Sequence, residues 1–77
     1  MAWRELDYGD RHWNVSLAAE RCATSGWCLV LSFRAKGEPR TLWAPFPLES
    51  QSQAALFAQA DRIPDTALTA LLAERLG

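Results

Sequence analysis

The feature that most limits how this chain can fold is a pair of alternating apolar and polar segments joined by Gly9–Asp10. Residues 2–8 and 11–18 flank this dipeptide, which suits a two-residue hairpin turn because glycine tolerates positive φ. Side chains alternate between the two faces of a strand, so the hairpin would have one apolar face and one mostly polar face. The sequence therefore predicts a β-hairpin with one face to bury.

The turn also predicts which residues of this first hairpin pair. The inner, apolar face would pair Tyr8 with Arg11, Leu6 with Trp13 and Arg4 with Val15. The outer face would pair Asp7 with His12, Glu5 with Asn14 and Trp3 with Ser16.

A second hairpin is predicted after a break in the alternation. Residues 19–26 end in Ser-Gly and are expected to form a connecting loop, while residues 27–34 and 39–44 alternate around a turn at Lys36–Gly37. The predicted inner pairs are Leu31 with Leu42 and Leu29 with Ala44, and the outer pairs are Ser32 with Thr41 and Val30 with Trp43. Prolines at positions 39, 45 and 47 indicate that the last strand lies at an edge of the sheet.

The hydrophobic period changes at Ser50 from that of a strand to that of a helix. Ser50 and Gln53 match a capping box, which predicts a helix to about Arg62. Pro64 and Asp65 suit the first turn of a second helix that ends at Gly77. The expected buried positions are Leu56, Phe57, Ala60 and Ile63 on the first helix and Leu68, Leu71, Leu72 and Leu76 on the second.

The order of elements predicts an α+β fold. We expect a four-stranded antiparallel meander, made of two β-hairpins, with two C-terminal helices packed on one sheet face. Residues 1–77 would form a single small globular domain, with the sheet in 2–46 and the two helices in 50–76.

Composition excludes several classes of function. Hydrophobic residues make up 49% and charged residues 22% of the chain, as in globular proteins, and the formal net charge is -1. Such a balance supplies no broad positive field, which disfavours nucleic acid and anionic membranes as partners. No segment resembles a signal peptide or a membrane span, which predicts a soluble cytoplasmic protein. A single lysine and a single isoleucine beside many Ala, Arg and Leu suggest a bacterial or phage source.

Candidate catalytic and metal sites are weak. Asp7, His12 and Cys28 share the outer face, but Cys28 would enter at the far end of the sheet, on the order of 13 Å from His12. His12, Cys22 and Cys28 lack the paired spacing of a zinc site. We therefore expect no enzyme activity, no cofactor and no metal. A cytosolic location favours free thiols, although a Cys22–Cys28 pair stays open.

The four tryptophans provide the functional prediction. The two registers place Trp13 and Trp27 inward and Trp3 and Trp43 outward. An uncovered apolar patch that contains tryptophan is typical of a contact surface. The predicted interaction residues are Trp3, Val30, Thr41 and Trp43.

We therefore expect a small accessory protein that acts by protein–protein contact, as a regulator, inhibitor or scaffold. A homodimer through the outer face is the first choice of partner, and a larger protein is the second. Two alternatives remain: a single-stranded nucleic-acid-binding module that uses exposed Trp and Arg, and a small subunit that completes an enzyme site in a larger complex. A loop folded over the outer tryptophans, or a register error, would remove the patch.

Overall fold

The computed structural model describes residues 3–22 and 26–77 and confirms the α+β prediction. Four strands form one antiparallel sheet in sequential order, and two helices follow and pack against it. The elements are β1 (Arg4–Tyr8), β2 (Arg11–Arg21), β3 (Trp27–Ala35), β4 (Leu42–Ser50), α1 (Gln53–Ala60) and α2 (Asp65–Leu76). Ala2, predicted as the start of the first strand, lies outside the described residues.

The first hairpin has the predicted register. All five pairs between β1 and β2 match, from Tyr8 opposite Arg11 to Arg4 opposite Val15. Gly9 and Asp10 have φ of 61° and 64°, which is the positive pair that a type I′ turn requires. This turn follows the twist of the strands, so the local sequence alone determines the pairing.

The strand β2 extends further than predicted. Residues 19–26 were expected to form a loop, but β2 continues to Arg21, which pairs with Trp27. The prediction was wrong because the weak alternation of these residues is outweighed by the hydrogen bonds that β3 offers. Positions 23–25 of the predicted loop lie outside the described residues.

The pairing of β3 with β4 differs from the prediction by two residues. Leu31 lies opposite Ala44 rather than Leu42, and Ser32 lies opposite Trp43 rather than Thr41. The cause is the connection, since residues 36–41 form a longer loop than the tight turn expected at Lys36–Gly37. A shift of two residues leaves every side chain on its predicted face.

The strand β4 is an edge strand that contains two prolines. It continues past Ala44 to Ser50, with an irregularity opposite the Cys28–Leu29 bond. Pro45 lies opposite Val30 and has no N–H, so this pair is of the non-hydrogen-bonded kind and the proline nitrogen faces the free edge. Pro47 lies in the irregular segment.

The core lies between the inner sheet face and the two helices. Phe33, Leu31 and Leu29 from β3 are completely or almost completely buried, as are Leu56 of α1 and Leu68 of α2. The remaining buried apolar residues are Leu6, Trp13, Val15, Ala35, Ala44, Ala60, Ile63 and Leu72. Of the predicted helix positions, Phe57 and Leu71 are partly buried and Leu76 is exposed.

Both helices begin later than the sequence suggested. Ser52, not Ser50, is the N-cap of α1, and its hydroxyl accepts a hydrogen bond of 3.1 Å from the backbone N–H of Ala55. Ser50 is instead the last residue of β4 and pairs with Trp27. The first helix ends at Ala60 rather than Arg62.

The second helix has an extended residue as its N-cap. Pro64 occupies that position, so the helix itself begins at Asp65, whose carboxylate lies in the first turn as expected. Gly77 is the C-cap, and its backbone N–H donates to the Ala73 carbonyl at 2.9 Å.

Arg4 connects the sheet to the junction of the two helices. Its guanidinium donates to the carbonyl oxygens of Asp61 at 2.8 Å, Ala60 at 3.4 Å and Ile63, and to the Asp65 carboxylate at 3.2 Å. Carbonyl groups at the end of a helix have no partner within the helix. Arg4 therefore satisfies the end of α1 and holds the start of α2 next to β1.

Replacing Arg4 with methionine should lower the free energy of unfolding by about 2 kcal/mol, because helix-end carbonyls would lose a charged donor. Chemical denaturation monitored by circular dichroism measures the change. Arg62→Met is the matched control, since Arg62 is exposed and no side-chain hydrogen bond of it occurs among the described residues. Equal losses in both variants would contradict the role of Arg4.

Replacing Ser52 with alanine should cost about 1 kcal/mol of stability, because the Ala55 N–H would lose its cap. Ser50→Ala, at the position that the sequence pattern favoured, should cost clearly less. Thermal unfolding of the two variants gives the comparison, and a larger loss from Ser50→Ala would show that the cap is assigned wrongly.

Candidate protein interaction surface

The side chains of the sheet that point away from the helices form a surface that we call the outer face. Its cross-strand rows follow from the three registers. From one end to the other they are Asp7 and His12; Glu5, Asn14 and Arg34; Ser16, Ser32 and Trp43; Ala18, Val30 and Pro45; and Glu20, Cys28 and Glu49. The helices cover only the opposite face, because their buried leucines pack on the inner side chains.

The middle of the outer face is apolar. Ala18, Val30 and Pro45 form one row across three strands, and Trp43 lies in the next row on β4. We call these four residues the apolar centre. Trp43 is 55% exposed, and the only comparably exposed large apolar residue in the described ranges is Leu76, at the end of α2.

Carboxylates surround the apolar centre at both ends. Glu5 and Asp7 lie at the β1 end, and Glu20 and Glu49 flank Cys28 at the other end. We call these four residues the acidic rim. Arg34 is the one arginine that the described strands place on this face, and its Nε donates to the Glu38 carbonyl at 2.9 Å. The outer face is therefore predominantly negative.

Two of the four predicted interaction residues, Val30 and Trp43, lie on the outer face as predicted. Trp43 is exposed on the outer face, and Val30 is half-buried beside it. Thr41 is half-buried and precedes β4, so it does not form the predicted pair with Ser32. The apolar patch is consequently smaller than the sequence suggested.

The placement of Trp3 on the outer face was wrong. Trp3 packs against the core, its Nε1 donates to the Asp61 carboxylate at 3.0 Å, and the Arg4 guanidinium lies 4.3 Å from its ring centre. Trp3 precedes the first residue of β1, where strand alternation no longer determines direction. The polar partner near the end of α1 fixes the indole on the helix side.

The other two tryptophans face inward as predicted. Trp13 is buried, and its Nε1 donates to the Tyr8 carbonyl at 3.2 Å. Trp27 is half-buried against the core, with the Arg21 guanidinium 4.9 Å from its ring centre. Neither ring contributes to the outer face.

His12 lies between two carboxylates of the acidic rim. Its Nδ1 is 2.9 Å from Asp7 Oδ1, and its Nε2 contacts Glu5 Oε1. The hydrogen bonds to Asp7 and then Glu5 raise the pKa of His12 above 6.5. Protonation would offset part of the negative charge at this end of the outer face.

The structure does not assemble the Asp7–His12–Cys28 set. Cys28 lies opposite Glu20, near the end of β2, whereas His12 is near the start of that strand. At the rise per residue of a strand, Cys28 and His12 are therefore about 26 Å apart. This is farther than the sequence estimate because β2 is longer than predicted. The thiol and the imidazole cannot act together in one chain.

The two cysteines are bonded to each other, contrary to the expectation of free thiols. Cys22 and Cys28 form a disulfide with their Cα atoms 5.7 Å apart. The extension of β2 to Arg21 brings Cys22 alongside the start of β3, which the predicted loop did not. Glu49 Oε1 lies 3.7 Å from the sulfur of Cys28.

The sequence did not predict that Glu49 lies beside the two cysteines. The predicted last strand stopped at Ala44, so nothing indicated that Glu49 would lie opposite Cys28. His12 is at the other end of the sheet and does not join the cysteines.

Comparisons with protein family models, with curated proteins and with solved structures give no match for this chain. Within residues 3–22 and 26–77, no helix has the length and apolar character needed to cross a bilayer.

The titration of His12, which is the single histidine, should have its midpoint above pH 6.5 in the NMR signals of the ring. The stability that protonated His12 contributes is fully present below pH 6.5 and is lost as the pH rises through the raised pKa. Asp7→Asn should move the midpoint towards 6.5, and Asp10→Asn, in the adjacent turn, should move it less. A wild-type midpoint at or below 6.5 would refute the assignment.

Proposed function

We propose that this chain is a small, non-enzymatic interaction protein whose outer face binds another protein that presents a basic surface. The observation that carries the proposal is the exposed ring of Trp43 on a sheet face that no described element covers. Tryptophan is among the residue types that contribute most to binding when they become buried at an interface. Regulation, inhibition or scaffolding of the partner are the roles that such a contact supports.

The size of the apolar centre argues that the acidic rim takes part in binding. The apolar centre spans three neighbouring strands, or about 10 Å. A stable protein interface buries about 800 Å² on each partner, so contact must extend beyond the apolar centre on to the surrounding rows. Those rows contain four carboxylates and one arginine, which favours a partner with lysine or arginine around an apolar contact.

A groove on this surface fits a basic side chain. It has a volume of 450 Å³, and its lining residues include Val30 and Pro45 as well as the carboxylates of Glu20 and Glu49. The aliphatic stem of a lysine or arginine can lie along the two apolar residues while its charged end approaches a carboxylate. The groove thus supports the same partner chemistry as the acidic rim.

A second copy of the chain fits this surface less well. Stacking two outer faces would bring two acidic rims together, and like charges across an interface cost free energy. Trp3, which was expected to enlarge the patch, lies on the helix side instead. These features favour a different protein over the homodimer that the sequence first suggested.

The two alternative functions have less support. Single-stranded nucleic acid would meet the acidic rim, where carboxylates repel phosphates, and Trp43 is the only tryptophan on the described outer face. An enzyme site shared with a larger complex would have to use Asp7 or His12, because the cysteines are paired.

The test compares wild type with Trp43→Ser in two steps. Light scattering first gives the solution mass, and we expect a monomer. Immobilised protein then captures partners from an extract of the source cells, and a purified captured protein is titrated by calorimetry at low and high salt. We expect one basic protein, and its affinity for the wild-type chain should be lower at high salt. Its affinity for Trp43→Ser should be about thirty-fold lower or more, as for a binding hot spot.

Leu76→Ser is the matched control, because it removes a comparably exposed large apolar side chain from the opposite layer. It should bind like wild type. A wild-type dimer that Trp43→Ser converts to a folded monomer would show that a second copy occupies the outer face. Binding that is unchanged in Trp43→Ser, or that involves an acidic protein or nucleic acid, would also overturn the proposal.

A further inference from the structure

The end of the outer face near Ser50 brings sulfur and carboxylate ligands together. The Sγ atoms of Cys22 and Cys28 and a carboxylate oxygen of Glu49 all lie within 4.8 Å of one another. Cys28 lies between Glu49 on β4 and Glu20 on β2, its cross-strand partners. Three different strand ends therefore supply two sulfur atoms and two carboxyl groups to one small region.

We propose that reduction of the Cys22–Cys28 disulfide turns this cluster into a Zn²⁺ site in which Cys22, Cys28 and Glu49 are ligands. Zinc in proteins binds thiolate sulfur and carboxylate oxygen in a tetrahedral arrangement. Glu20 lies beside Cys28 and can take the fourth position, which water otherwise fills. This inference does not rest on the proposed partner, although the site uses Glu20 and Glu49, two residues of the acidic rim.

The backbone positions are compatible with zinc. Two thiolates at about 2.3 Å from one tetrahedral zinc ion lie roughly 3.8 Å apart. The Cα atoms of Cys22 and Cys28 are 5.7 Å apart, so rotation of the side chains after reduction is sufficient to reach that separation. The backbone N–H of Cys22 donates to the Gly26 carbonyl at 3.1 Å, and Cys28 lies within β3, which holds both residues in place.

The reduction step requires a two-electron reductant, such as a dithiol. The dithiol gives two electrons and two protons, so that the protein S–S bond becomes two thiols while the reductant forms its own disulfide. Both cysteines are partly exposed, which allows a reductant to approach. Zn²⁺ then displaces the two thiol protons to solvent, because the ligand is the thiolate.

The electrostatic environment favours a cation in the reduced state. Two neighbouring thiolates beside Glu20 and Glu49 would repel one another, and a divalent ion offsets that repulsion. In the oxidised state the sulfur atoms are bonded to each other and carry no charge, so only carboxylates remain. Zinc binding should therefore depend on the redox state.

The test uses the full chain in oxidised form and after reduction by a phosphine. The phosphine takes oxygen from a water molecule to become a phosphine oxide, and the two protons of that water form the two thiols. Zinc chloride is titrated in competition with a chromophoric chelator, and Co²⁺ serves as a spectroscopic probe. The reduced chain should bind one Zn²⁺ and show thiolate-to-cobalt charge-transfer absorption, and the oxidised chain should do neither. Cys22→Ser should lose most of this absorption, and Glu49→Gln should weaken zinc binding at least about ten-fold.

Glu74→Gln, which removes an exposed carboxylate on α2, is the control and should bind zinc like wild type. Glu49→Gln retains the disulfide, so its folding can be verified in the oxidised form. If the reduced chain unfolds, refolding on addition of Zn²⁺ supports the site, and failure to refold overturns it. Equal zinc binding by the oxidised chain, or unchanged binding in Cys22→Ser, would also overturn the proposal.

Discussion

Neither layer of this fold is expected to be stable without the other. The helices have 8 and 12 residues, lengths at which isolated helices are marginal in water, and the inner sheet face is rich in large apolar side chains such as Phe33. Burial of each layer by the other supplies the main stabilising term. Arg4 determines where the layers meet, because its guanidinium donates to the carbonyl groups of Asp61 and Ile63, which follow α1. The outer face takes no part in this arrangement and is free to serve a partner.

The parts of the fold that the sequence predicts well are those determined by local geometry. Gly9 and Asp10 form a two-residue turn, which fixes the register of the first hairpin without help from the rest of the chain. The second register depends on the loop of residues 36–41, whose length leaves several pairings open, and a two-residue shift gives the same alternation of faces. The start of α1 is also left open by the sequence, because Ser50 and Ser52 are both acceptable N-caps until the end of β4 is known.

The candidate site likewise contains some residues whose positions local sequence predicts and others whose positions it does not. Trp43 was placed correctly because a register error of two residues does not change its face. Trp3 was placed wrongly because it lies beyond the strand, where contact with Asp61 decides its direction. The disulfide and its neighbour Glu49 depend on strand extensions that only long-range pairing produces. The alternation of a strand and the three-to-four-residue spacing of a helix describe neighbours within one element, so they do not predict contacts between distant strands.

The proline at position 45 has a consequence for how molecules of this protein behave when they are crowded together. An edge strand with free N–H groups is a template on which further chains add, and an exposed tryptophan nearby would strengthen such fibrillar contacts. Because the Pro45 nitrogen faces the free edge and carries no hydrogen, an incoming strand would meet a gap in the hydrogen-bond ladder. The chain thereby presents Trp43 for recognition through side chains while its backbone edge resists open-ended aggregation.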